Sequence, residues 1–209
     1  MYLGSPKSTP VRTDEFRPIS LLPVLSKVFE KLILDYYYES FMKVYDNRQF
    51  AYRRKSSTTC ALISIHDQIV RLLDDPNVLA IRLVCFDMSK AFESVPHDLL
   101  LQRIIELDFP ECNKFVNWLS SYLCERKQRV RLGNVLSSVT NVTSGVPQGS
   151  VLGPHLFSMF MSTFSVSSTQ TTIVKYADDI TMVIPVLRNA SDDLCVMDEE
   201  ILTLKHGAM

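Results

Sequence analysis

The sequence predicts an α+β fold, in which helices occur together with strands and hairpins. Two observations carry this prediction: apolar residues recur at helical spacing in some segments, and short apolar runs bounded by turn residues indicate strands in others. The chain has 209 residues, of which 46% are hydrophobic and 22% are charged, a composition typical of folded globular proteins. A chain of this length can form one large domain or two small lobes.

Five segments are predicted to be helical from their apolar spacing and from the residues that start or stop them. In the first segment, Val24, Val28 and Leu32 share one helical face after Pro23. The second segment ends where Asp74-Asp75-Pro76 interrupts the pattern. The predicted helices are residues 24–42, residues 58–73, a segment that starts at Pro96, residues 110–124 and residues 154–164.

Strands are predicted in the second half of the chain and at its centre. Residues 78–86 form a nearly continuous apolar run that ends at Asp87, which fits a strand buried on both faces. Gly133-Asn134 is a two-residue hairpin signal between residues 128–132 and residues 135–143. Two further strands are predicted at residues 171–176 and 180–184, on either side of Ala177-Asp178-Asp179.

The charge balance argues against a protein that coats DNA regardless of its sequence. The net charge is −1, whereas sequence-independent coating of DNA requires a basic excess. The average conceals a separation along the chain: residues 1–60 carry ten Lys or Arg and six Asp or Glu, while residues 61–119 carry five and nine. Local basic surfaces that bind nucleic acid therefore remain compatible with the sequence.

Cysteine usage and hydropathy predict an intracellular protein. The five cysteines are an odd number and form no C-x-x-C pair, so we expect reduced thiols rather than a disulfide framework. The N-terminus lacks the apolar core of a signal peptide, and the longest apolar stretch, residues 151–166, is too short to span a bilayer. We therefore expect a protein of the cytoplasm or nucleus that is not secreted and binds no membrane.

Three acidic residues follow or interrupt apolar strands. Asp87 closes residues 78–86, and Asp178 and Asp179 lie between the last two predicted strands. Neighbouring carboxylates repel one another unless a cation compensates them, and Mg²⁺ prefers such oxygen ligands. If the strand that ends at Asp87 pairs beside the hairpin, all three carboxylates meet at one sheet edge and can hold two metal ions for displacement at phosphorus. An Asp-Asp pair is also an ordinary turn sequence.

Five blocks in a fixed order resolve this ambiguity. Together they span nearly the whole chain and resemble the sequence motifs of reverse transcriptases from non-LTR (LINE-type) retrotransposons. The blocks are FRPISLL at residues 16–22, QFAYRRKSST at 49–58, FDMSKAFESVPH at 86–97, SGVPQGSVLGP at 144–154, and YADD at 176–179.

This resemblance implies a right-hand polymerase fold of the α+β class, in which an antiparallel palm sheet packs on helices. Residues 1–75 would be the fingers region and residues 76–209 the palm region. It also implies RNA-directed DNA synthesis, in which an RNA template directs the addition of deoxynucleoside triphosphates to a DNA primer. The implied cofactor is a pair of Mg²⁺ ions, with Mn²⁺ as a substitute.

The resemblance also assigns roles to individual residues. Asp87, Asp178 and Asp179 match the catalytic, metal-binding triad. Phe92 matches the aromatic residue beneath the nucleotide sugar, where its ring disfavours a 2′-hydroxyl. Nucleotide contacts are assigned to Lys7, Arg17, Phe92, Gln148 and Gly149, and template or primer contacts to Arg53, Arg54, Lys55 and Tyr176.

The sequence leaves alternatives to an active polymerase. Enzymes of the family continue through a thumb, whereas only about thirty residues follow Asp179 here, and residues 191–204 are predicted to form one acidic helix. We therefore expect the thumb to be absent, and a catalytically inactive retroelement remnant that binds nucleic acid is the main alternative. A two-metal nuclease is a weaker alternative, because a nuclease has no evident use for the sugar-selecting pocket.

Overall fold

The computed structural model describes residues 2–4, 17–88, 90–166 and 170–188. In chain order, its elements are β1 (Tyr2–Gly4), β2 (Arg17–Ile19), α1 (Val24–Val44), α2 (Thr58–Leu73), β3 (Val78–Phe86), α3 (His97–Glu106), α4 (Cys112–Leu123), β4 (Lys127–Gln128), β5 (Arg131–Leu132), β6 (Val135–Leu136), β7 (Thr140–Asn141), α5 (Gly153–Ser162), β8 (Thr172–Tyr176) and β9 (Asp179–Leu187). The five predicted helices are confirmed. The predicted acidic helix at residues 191–204 lies outside the described residues.

The chain forms two compact units, and each consists of two chain segments. The helical unit is Met1–Val44 with Lys90–Phe160, and the sheet unit is Tyr45–Ser89 with Met161–Met209. The predicted boundary between fingers and palm near residue 75 stays a prediction. Among the described residues, no helix is both long enough and apolar enough to cross a membrane.

The sheet unit is built on a three-stranded antiparallel sheet in the order β3-β9-β8, with α2 packed against it. The prediction that β3 is buried on both faces was wrong, because Leu79 is 59% exposed and Leu83 is 49% exposed. The physical reason is that a strand face is buried only where another layer packs against it, and Leu79 and Leu83 share one face because side chains alternate along a strand.

The predicted hairpin around Gly133-Asn134 exists but is interrupted. Strands β5 and β6 flank the turn, and β4 pairs with β7 further away from it. The two pairs belong to separate small sheets. Strands β4 and β7 form a two-stranded sheet, whereas β5 and β6 belong to a four-stranded sheet in the order β2-β1-β5-β6.

Helix α1 has the predicted extent, but the apolar stripe that predicted it is not its buried face. Val24, Val28 and Leu32 are all more than half exposed. The buried face instead carries Tyr37 and Phe41, which join an aromatic cluster completed by Phe109 and Phe115, with ring centroids 5.1–6.1 Å apart. Because α1 is apolar on both sides, spacing alone could not identify the face that packs.

A buried carboxylate on α1 fixes the loop before α5. Glu30 is 0% exposed, and its Oε2 accepts hydrogen bonds from the backbone N–H groups of Val151 (2.7 Å) and Leu152 (3.2 Å). Its Oε1 accepts from the hydroxyls of Tyr122 (2.9 Å) and Ser26 (3.3 Å). A carboxylate at the start of a helix also interacts favourably with the helix dipole. Glu30 therefore ties the 150–152 loop to α1.

A buried ammonium has a similar role in the sheet unit. The Lys175 side chain, on β8, is 1% exposed, and its Nζ donates to Asp46 Oδ2 at 2.6 Å. It also donates to the carbonyl oxygens of Met161 (2.8 Å) and Phe164 (2.5 Å). Burial lowers the pKa of Lys175, and the Asp46 carboxylate opposes that lowering. The ammonium is thus satisfied by three acceptors inside the unit.

We expect Glu30→Leu to reduce the free energy of unfolding, because it leaves buried donors without a partner at about 1–3 kcal/mol each. Glu30→Gln should cost less, since the hydroxyls of Tyr122 and Ser26 can accept from the new amide. Glu39→Leu, on the exposed side of the same helix, is the matched control and should stay within about 0.5 kcal/mol. Denaturant unfolding measures all three, and equal losses at positions 30 and 39 would contradict the role of Glu30.

We expect Lys175→Met to reduce the free energy of unfolding by about 3–5 kcal/mol, because it leaves Asp46 as an uncompensated charge. The double variant Lys175→Met, Asp46→Asn should recover part of this loss. Denaturant unfolding of both single variants and the double variant measures the coupling. Losses that simply add in the double variant would show that the two side chains do not act as a pair.

Candidate active site

The register of the three-stranded sheet brings the three predicted catalytic aspartates to one end of it. The last residue pair between β3 and β9 joins Phe86 to Ile180, so Asp87 follows at the position next to Asp179. Strands β8 and β9 are joined by the two-residue loop Ala177–Asp178, which the pair of Tyr176 with Asp179 closes. The strand that ends at Asp87 therefore pairs beside the hairpin, which confirms the arrangement that the predicted meeting of the three carboxylates required.

The three carboxylates differ in exposure. Asp87 and Asp179 are exposed, and Asp178 is half-buried. In the described part of the chain, no three His, Cys, Asp or Glu side chains are grouped closely enough to hold a metal ion. The donor set itself, three carboxylates from adjacent backbone positions, is of the kind that hard divalent cations prefer.

Tyr52, in the second motif block, is a neighbour of this site to which the sequence assigned no role. Partial burial raises the pKa of the Tyr52 phenol to about 12, although 36% of the residue is exposed, and the negative charge of Asp178 adds to that effect. The segment that carries Tyr52 therefore lies within electrostatic reach of the loop between β8 and β9. The sequence block that contains Tyr52 gave no signal for this proximity, because the two residues are far apart in the chain.

The predicted nucleotide contacts that the structure describes belong to the helical unit. Phe92 is half-buried and stacks on Phe157, with ring centroids 4.5 Å apart. The carbonyl oxygen of Gln148 accepts a hydrogen bond from the backbone N–H of Ser20 at 2.7 Å. Gly149 has a φ of +102°, and a Cβ there would lie 3.1 Å from the Ser20 carbonyl oxygen, so glycine suits this close approach.

The predicted basic contacts are only partly described. Lys7 lies outside the described residues, and Arg17 forms part of β2. In the sheet unit, the guanidinium of Arg53 donates to the carbonyl oxygen of Tyr45 at 3.1 Å and lies 6.0 Å from its ring centroid. Arg54 and Lys55 are exposed and Tyr176 is half-buried.

The helical unit also contains a polar cleft of about 490 Å³. One wall is the loop that contains Gln148, and another is the β4 segment, which contributes Arg126, Lys127 and Arg129. Glu93 lines the same cleft. Three cations beside one carboxylate give this surface a basic character, which suits contact with phosphate groups.

Comparisons with known proteins identify the family. A family model described as reverse transcriptase (RNA-dependent DNA polymerase) matches residues 5–203. The chain is 33% identical over 188 residues to a probable RNA-directed DNA polymerase from transposon BS of Drosophila melanogaster, covering 86% of the chain and 20% of the relative. It is 32% identical over 180 residues to the RNA-directed DNA polymerase from the mobile element jockey of the same species, covering 82% and 19%.

A solved structure shows the same fold at low sequence identity. Apo telomerase from Candida tropicalis, truncated from its C-terminal domain, has a TM-score of 0.55 at 13% identity, covering 87% of this chain and 38% of that one. The chain spans about a fifth of the length of the curated relatives it matches. It belongs to the reverse transcriptase (RNA-dependent DNA polymerase) family, as its resemblance to the enzymes of non-LTR retrotransposons predicted.

Proposed function

We propose that this chain forms the catalytic part of an RNA-directed DNA polymerase, with its fingers in residues 1–75 and its palm in residues 76–209. It would extend a DNA primer with deoxynucleoside triphosphates on an RNA template. The observation that carries the proposal is the register of β3, β9 and β8, which brings Asp87, Asp178 and Asp179 to one end of the sheet.

The three aspartates would hold the metal ions of the reaction. Two Mg²⁺ or Mn²⁺ ions, when bound, supply the positive charge that assists attack of the primer 3′-hydroxyl on the α-phosphorus and departure of pyrophosphate. Asp87 and Asp179 are exposed and can therefore accept a ligand from solution. Asp178, half-buried in a two-residue loop, has its backbone fixed at both ends by β8 and β9.

Residues of the helical unit would recognise the nucleotide. The stack on Phe157 holds the Phe92 ring in place, which suits a rigid surface beneath the sugar. The bond from Ser20 holds the loop of Gln148 and Gly149, so this loop can contact the nucleotide without first becoming ordered. Lys7 and Arg17 are proposed for the triphosphate because cationic side chains bind its oxygens well.

Template and primer contacts are proposed for Arg53, Arg54, Lys55 and Tyr176. Arg54 and Lys55 are exposed and offer positive charge to backbone phosphates. Such phosphate contacts supply most of the sequence-independent affinity of a protein for nucleic acid. Arg53 contacts Tyr45, which favours a supporting role for its guanidinium beside the two exposed cations.

We expect the chain to extend an annealed DNA primer on an RNA template in the presence of Mg²⁺ or Mn²⁺. Asp178→Asn, Asp179→Asn should reduce the rate by roughly 100-fold or more, because several kcal/mol of charge stabilisation are lost. Asp35→Asn, at an exposed surface position on α1, is the matched control and should extend at the unsubstituted rate. Extension no greater than that of the double variant would instead support the inactive, nucleic-acid-binding remnant.

We expect Phe92→Ala to lower the preference for deoxyribonucleotides over ribonucleotides by roughly 10-fold or more, since loss of one apolar wall changes discrimination by that order. Incorporation of both nucleotide types by the same preparation gives the ratio, which is insensitive to any loss of stability from breaking the Phe157 stack. Phe29→Ala, at an exposed aromatic residue on α1, should leave the ratio unchanged. An unchanged ratio in an active Phe92→Ala variant would contradict the sugar-selecting role.

A further inference from the structure

The loop between β8 and β9 has a backbone conformation that its own sequence does not favour. Ala177 has a φ of +57°, in the left-handed region where the Cβ of an ordinary residue is crowded by the backbone. Two-residue hairpin loops usually place glycine, asparagine or aspartate at such a position. Contacts from outside the loop must therefore contribute to holding Ala177 in this conformation.

The side-chain amide of Gln49 makes those contacts. Its Oε1 accepts a hydrogen bond from the backbone N–H of Ala177 at 3.0 Å, and its Nε2 donates to the Ala177 carbonyl oxygen at 3.2 Å. Oε1 also accepts from the backbone N–H of Ala51 at 3.1 Å. Gln49 is 1% exposed. A primary amide is suited to this arrangement because it offers a donor and an acceptor on the same group.

The backbone around Gln49 is itself fixed beside β8. Gln49 forms a parallel bridge with Lys175, whose backbone N–H donates to the Arg48 carbonyl oxygen at 2.8 Å and whose carbonyl oxygen accepts from Phe50 N–H at 2.9 Å. The bond between the Lys175 ammonium and Asp46 anchors the same segment a few residues earlier. Gln49 is therefore held at a fixed distance from the loop rather than reaching it from a flexible chain.

The segment around Gln49 also lies near Asp178, the proposed metal ligand. Asp178 follows Ala177 directly, so rotation of the Ala177 backbone changes where the Asp178 carboxylate points. Tyr52 lies three residues after Gln49, and the charge of Asp178 contributes to its raised pKa. The amide of Gln49 thus contacts Ala177, and Tyr52 lies within electrostatic reach of the next residue of the loop.

We propose that Gln49 is a positioning residue, whose amide fixes the backbone of Ala177 and thereby places the Asp178 carboxylate for binding a divalent cation. It acts through Ala177 and contacts neither metal nor substrate. The proposal rests on the proposed function, because it assumes that Asp178 is a metal ligand.

Mn²⁺ binding by the full 209-residue chain tests the proposal without requiring turnover. Calorimetry and the electron paramagnetic resonance signal of free Mn²⁺ give the affinity. Gln49→Met, which has nearly the same size but no hydrogen bonds to Ala177, should weaken Mn²⁺ binding by about 10- to 100-fold, as loss of a residue that orients a metal ligand commonly does. Gln68→Met is the matched control, because Gln68 in the same unit bonds to Thr172 (3.3 Å) and not to the loop, and it should bind Mn²⁺ normally.

A second substitution separates positioning from general stability. Ala177→Gly removes the crowding at positive φ, so the double variant Gln49→Met, Ala177→Gly should recover part of the lost Mn²⁺ affinity. If Gln49→Met fails to fold, Gln49→Asn replaces it, because the shorter amide cannot reach both groups of Ala177.

The outcomes distinguish this proposal from the proposed function. Normal Mn²⁺ binding by a folded Gln49 variant, with weakened binding by Asp178→Asn, would overturn the role of Gln49 and leave the metal site intact. Equal weakening by Gln49→Met and Gln68→Met would also overturn it. Normal binding by Asp178→Asn, Asp179→Asn would overturn the metal site, and the positioning role with it.

Discussion

The antiparallel pairing of β3 with β9 is the constraint on which the candidate site depends. Because side chains alternate along a strand, a slip of one residue would turn the side chains to the other face and move Asp87 away from Asp179. The pairing is continuous from Ala80 to Phe86, and its irregularity lies between Val78 and Ala80, at the opposite end from the aspartates. The pairing of β3 with β9 is therefore regular at the end of the sheet that carries the three carboxylates.

Buried polar groups stabilise loops that carry motif residues in both units by the same physical means. Glu30 accepts from the backbone at residues 151 and 152 in the helical unit, and Gln49 bonds the backbone of Ala177 in the sheet unit. A buried polar group is costly unless its hydrogen bonds are made, and both of these side chains have partners for their donors and acceptors. Each loop therefore gains a specific conformation that apolar packing alone would not impose.

The helices, the strand ends and the position of the aspartates could be predicted from the sequence, because periodicity and strand termination are local signals. The exposed stripe of α1 and the exposure of β3 could not, since apolar residues such as Val28 and Leu79 show no sign of which face finds a partner. The contacts of Glu30 and Gln49 were missed because they join residues 121 and 128 positions apart. The burial of Glu30 did leave one signal in the sequence. Glu30 lies four positions before the apolar Leu34 and therefore on the same helical face, where a buried charged residue is unusual unless it has partners.

The motif blocks therefore describe only part of what determines the site. Asp178 and Gly149 lie in motif blocks, but the groups that fix their loops lie more than a hundred residues earlier in the chain. Glu30 of α1 is outside every block, whereas Gln49 is the first residue of the QFAYRRKSST block. These supporting residues contact backbone atoms, so the identity of the residue they hold matters less than its conformation. A substitution at Glu30 can consequently disturb a loop while every motif residue is present, and a substitution at Gln49 can disturb a loop in another motif block whose own sequence is unchanged.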